Sequence, residues 1–167
     1  ALNGNGTAAV MGLGEFLNHE RYRDYLEMVI RENWRPDVKC VVNGSYPDAE
    51  ELDEWPFENE WPFAQWHTPW TGTEHFLVSQ LYVAGLEEEA DMVIAGVLDR
   101  HVREGMRWDH TECNNHYARP LSIWSAYAAR LGLDYDGWRG RLTIDPRTKD
   151  REYRGLLLTG TCLGNLE

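Results

Sequence analysis

Residues 108–133, WDHTECNNHYARPLSIWSAYAARLGL, constrain the fold more than any other stretch, because polar chemistry runs without a spacer into an apolar helix. Leu121, Trp124, Ala128 and Leu131 recur at three- and four-residue spacing, which lays them on one helical face and predicts that this face is packed. Pro120 is placed where a first-turn proline costs little, since its missing N–H would be unpaired anyway. Gly132 is the natural stop. The polar cluster of Asp109, His110, Glu112, Asn114, Asn115 and His116 is therefore expected at the N-terminal mouth of a buried helix, with Tyr117 and Arg119 joining the two. A carboxylate and a guanidinium at such a mouth, Glu112 and Arg119, suit the vicinal hydroxyls of a sugar, one accepting and the other donating in a fixed plane. The same two residues also suit a structural ion pair, and spacing alone leaves both open.

Upstream the pattern is again helical. Thr7–Leu17 reads as an apolar helix softened by Gly12 and Gly14, and Glu20–Asn33 as an amphipathic one with Tyr22, Tyr25, Leu26, Val29 and Ile30 inward, the two forming a hairpin. VKCVV at 38–42 is a short β-branched crossing before an Asn43-Gly44 turn. Ser45–Pro69 holds no period but carries Trp55, Phe57, Trp61, Phe63 and Trp66 among four prolines, which predicts a long binding loop or an aromatic plug. Thr71 and Glu74 have capping-box spacing for a helix running to Gly85. Leu86–Arg103 is expected as a further helix with Ala90, Val93, Ile94, Val97 and Leu98 inward. Its Glu-rich start and basic end match the helix dipole and call for no functional reading. Beyond Gly132, short strands are expected at 141–144, 152–158 and 161–163.

Composition removes several classes of function. Among 167 residues, 28 acidic and 16 basic side chains give a net charge of −12, with no basic cluster to track phosphates, so nucleic acid is not an expected partner. No run approaches the ~20 apolar residues of a membrane helix, so no transmembrane segment is expected. Cys40, Cys113 and Cys162 form no paired spacing, which favours a reducing, cytoplasmic setting over a disulfide framework. His110, Cys113 and His116 are zinc-like ligand types, but a second ligand pair is missing and no metal is expected. Cys113 with His116 lacks any sign of an oxyanion hole.

ECNNHYARPLSIW, together with PWTGTEHFLVSQLYVAGLEEEADMVI before it, resembles the C-terminal part of the catalytic region of glycoside hydrolase family 116, the β-glucosidases and non-lysosomal glucosylceramidases. The resemblance runs from about Gly12 to Pro146. It departs from the family at Thr68-Pro69, where a Glu-Val precedes the W-T-G element. It implies a mainly α fold, helical hairpins of an (α/α)6 toroid over residues 1–137 followed by a small β-rich tail over 138–167, and a chain that is a fragment partnered by the rest of that domain. The implied activity is retaining hydrolysis of a β-glycoside, small-molecule or oligosaccharide, without a cofactor. The nucleophilic Glu and the acid/base Asp are expected upstream, while Glu112, Arg119, Asn115, His116, Tyr117 and Trp70 bind the glycone. A sugar epimerase or polysaccharide lyase on the same toroid, and a non-enzymatic carbohydrate-binding helical module, are the alternatives.

Overall fold

The computed structural model describes residues 3–45, 68–105, 119–147, 154–158 and 163–166. Within these the protein is mainly α: α1 (Asn3–Val10), α2 (His19–Asn33), α3 (Thr71–Val83), α4 (Glu87–Arg103) and α5 (Ile123–Leu131), the last entered through a 3-10 turn at Arg119–Ser122. The strands form three two-stranded antiparallel ladders: β1 (Trp34–Arg35) with β2 (Cys40–Val41), β3 (Leu133–Asp136) with β4 (Arg141–Ile144), and β5 (Gly155–Leu158) with β6 (Leu163–Leu166). No described helix is long and apolar enough to cross a membrane.

The centre of the fold is α3. Eleven of its thirteen residues are buried, so its sequence shows no polar face, as a helix enclosed by neighbours requires. α4 and α5 pack along it, and α1, α2 and the 3-10 turn complete the surround. Leu77, Val78, Leu81, Tyr82, Ala90, Val93, Ala126 and Ala129 share one core with Tyr22 and Leu26 of α2. Burying Tyr22 requires a partner for its hydroxyl, which donates to Gln80 Oε1 at 3.0 Å.

The helix ends explain why the elements stop where they do. Asn18 caps α2 by accepting the Arg21 N–H at 3.1 Å. Gly132 ends α5 in the left-handed region (φ 56°), and a Cβ there would run into the Asp145 carbonyl. The orphan carbonyls at the C-terminus of α3 are met by Arg147, which donates to Tyr82 O at 3.1 Å and Val83 O at 2.8 Å. That contact ties the chain after β4 to the central helix.

Several expectations are corrected. The first helix covers Asn3–Val10 rather than Thr7–Leu17, and the chain turns through Gly12 (φ 70°) and Gly14 (φ 87°), conformations that a helix does not contain. Its chief neighbour is α3, so α1 and α2 do not make the expected hairpin. Leu121 and Trp124 do not face the core but are 63% and 52% exposed. α5 instead buries Ala126 and Ala129, whose small side chains let it lie close to α3. Leu98 of α4 is likewise exposed, while Ala90, Val93 and Val97 are buried as expected. β4 matches the sequence reading; β3, its partner, was not foreseen, because Leu133–Asp136 alternates too briefly to signal a strand. The two strands join through a turn at 137–140.

Candidate functional site

Two of the sequence-picked residues, Trp70 and Arg119, are brought together at the N-terminus of α3. Trp70 is the N-cap residue, extended at φ −112° and ψ 110°, and its carbonyl accepts the Thr73 and Glu74 N–H groups at 2.8 and 2.9 Å. The Arg119 guanidinium carbon lies over its ring, 4.9 Å from the centre, within cation–π range. Asn115, His116, Tyr117 and Glu112 lie outside the described residues, as do His110, Cys113 and the tryptophans between positions 46 and 67. Among the described residues no group of three or more His, Cys, Asp or Glu side chains is placed to hold a metal.

Arg119 reaches Trp70 because Gly72 lets it. A Cβ at Gly72 would collide with the Arg119 stem and would lie 2.8 Å from its carbonyl carbon and oxygen. The 3-10 turn is then stitched to the first turn of α3 by two hydrogen bonds. Ser122 Oγ donates to Gly72 O at 2.7 Å, and His75 Nδ1–H donates to Pro120 O at 3.1 Å. His75 is buried, and burial lowers its pKa to about 4, so the imidazole is neutral at pH 7 and its Nδ1–H tautomer is set by that carbonyl. Gly72 and His75 were missed in the sequence. The signal was present in Gly72 itself, a poor helix former in a first turn, which marks close backbone approach.

Glu74 is not a capping-box partner, and Thr71 is not the N-cap. Trp70 takes the cap position with no side-chain cap bond, and Thr71 begins the helix with its hydroxyl buried and unpartnered among the described residues. Glu74 turns inward instead. Its Oε1 accepts the Val41 N–H at 2.9 Å, and its Oε2 accepts from Arg100 Nη2, while Arg100 Nη1 donates to the Lys39 carbonyl. Burial pushes the Glu74 carboxyl up, against the opposing pull of Arg100 and the Val41 N–H. Arg100 therefore does more than complement the dipole of α4: it carries a buried charge from the last turn of that helix to the first turn of α3. The segment between β1 and β2 is fixed by the same pair. Lys39 adopts φ 52°, and Gly96 of α4 leaves room for its carbonyl, which a Cβ would meet at 2.5 Å.

The arrangement supplies a cation held against an aromatic ring at an open corner, braced from behind by a neutral histidine and a buried ion pair. The guanidinium meets the indole through its face, and its N–H groups lie in the plane of that cation. Compared with known proteins, the sequence matches no family model and no curated protein.

Proposed function

We propose that this chain forms the glycone-binding wall of a retaining β-glycosidase of the (α/α)6 toroid type, akin to glycoside hydrolase family 116. The observation that supports the reading is the Arg119–Trp70 contact at the mouth of α3. An indole offers its face to the C–H side of a pyranose, while a planar guanidinium donates to adjacent ring hydroxyls. Such bonds accelerate hydrolysis when they tighten as the ring flattens toward the oxocarbenium-like transition state. The motif ECNNHYARPLSIW, which carries Glu112 and Arg119, adds the carboxylate that accepts from the same hydroxyls. Asn115, His116 and Tyr117 complete the hydroxyl partners in this reading. The nucleophile and acid/base, roughly 5 Å apart in a retaining enzyme, are contributed by the rest of the toroid.

The test is hydrolysis of aryl β-glycosides by this chain and by a longer polypeptide extended upstream. Turnover by the longer polypeptide alone is the expected result. Turnover by this chain alone would overturn the assignment of the catalytic carboxylates to other segments. Sugar binding without turnover by either would move the carbohydrate-binding module to the front.

A further inference from the structure

A second cleft lies on the other flank of α3, between that helix, α2 and the residues after β2. Asn33, Asn43, Thr73 and Gln80 contribute its polar groups, and Leu26 and Leu77 part of its apolar floor. At about 100° per residue, Thr73, Leu77 and Gln80 fall on the side of α3 away from Gly72 and His75, so this cleft is separate from the Trp70–Arg119 corner.

Its chemistry is neutral. Among the described residues that line it the one carboxylate is Glu74, which is already paired with Arg100 and the Val41 N–H. Asn33 and Gln80 are held in place yet retain hydrogen-bonding capacity. Asn33 donates to Val42 O at 3.0 Å and accepts from Ser45 Oγ at 2.8 Å, which leaves one N–H and one lone pair. Gln80 Oε1 accepts from Tyr22 and keeps its second lone pair, while its amide nitrogen spends both N–H groups on Asn3 Oδ1 at 3.3 Å and Phe76 O at 3.4 Å. The Thr73 side chain is exposed at the rim. Pre-positioned amides and a hydroxyl above an aliphatic floor match a molecule with hydroxyls on its edge and C–H groups on its face. The volume, about 110 Å³, is room for roughly eight water-sized groups at about 10–15 Å³ each.

We propose that this cleft binds a neutral polyhydroxy ligand of monosaccharide size, through Asn33, Thr73 and Gln80 over the Leu26–Leu77 floor. The site stands independently of the glycosidase reading, and its test reads binding rather than hydrolysis.

The experiment is a titration of the full chain with D-glucose, followed by amide NMR. Saturable shifts are expected at the Thr73 backbone and the Asn33 side-chain amide. Thr73→Phe, at an exposed rim position, and Val29→Phe, which narrows the cleft from α2, are each expected to weaken binding about tenfold or more. Leu98→Ala is expected to leave it within about twofold, because that exposed residue of α4 does not line the cleft. Glucuronate is expected to bind no tighter than glucose. The proposal is overturned by the absence of saturation, by full retention of binding in both Phe variants, or by tighter binding of the charged sugar.

Discussion

Arg119 and Trp70 meet across the N-terminus of α3 at 4.9 Å, joined not by a local turn but by a glycine one helical position beyond the N1 residue. The contact depends on backbone approach as much as on the cation, because the Arg119 stem lies where the Gly72 side chain would be.

Gly72→Ala is accordingly expected to act at a distance from its own position. The added methyl displaces the 3-10 turn, weakening the Ser122 and His75 hydrogen bonds, at a cost of about 1–3 kcal/mol. Urea unfolding measures the loss. A variant as stable as the parent would mean that the turn relaxes freely and that the close approach is incidental.

In a protein that hydrolyses β-glycosides, Arg119→Ala should lower kcat/KM about tenfold or more while the folded fraction stays unchanged. Arg119→Lys should restore little, since an ammonium keeps the charge but not the planar fork. Equal losses of activity and stability in Arg119→Ala would identify a structural cation instead. Steady-state kinetics beside thermal melts separates the two.

The Glu74–Arg100 pair is buried on both sides, with side chains 1% and 9% exposed. Glu74→Gln leaves a guanidinium in the core without its counter-charge and is expected to cost about 3–5 kcal/mol. Replacing both partners, Glu74→Leu with Arg100→Leu, should cost less than the sum of the single changes. A double-mutant cycle with no coupling would show that the two side chains are stabilised separately.

Acid sensitivity should centre on His75. Its pKa falls from 6.5 to about 4 on folding, so between those values the unfolded chain binds more protons. Its contribution is fully present above pH 6.5 and is lost as pH falls toward 4, about 3 kcal/mol in all. Glu74, whose carboxyl is pushed up by burial, pulls in the opposite direction. Comparing the wild type with His75→Gln isolates the histidine: the variant should show a flatter fall in stability across this window. Parallel curves would mean that His75 is not buried as a neutral ring.

Local periodicity and punctuation carried much of the helical reading. α2 is amphipathic, α4 repeats Ala90, Val93 and Val97 inward, and Gly132 stops α5 in the conformation that a glycine permits. The faces of α5 were not legible, because Trp124 and Leu121 are apolar by type and only the neighbours of a helix decide which apolar residues are covered. Glu74 shows the same limit. Three residues after Thr71 it has capping-box spacing, yet the buried Arg100 and the Val41 N–H offer its carboxylate stronger partners than the helix end does.

The sequence by itself determined the helical character, the acidic surface charge and the candidacy of Trp70 and Arg119, since each follows from residue type and local spacing. Tertiary structure decided that those two residues touch, that Glu74 pairs inward, and that a neutral cleft opens on the far flank of α3. These relationships join segments distant in sequence, and side-chain partners across such gaps are selected by packing and by the need to satisfy buried polar groups, which no local pattern encodes.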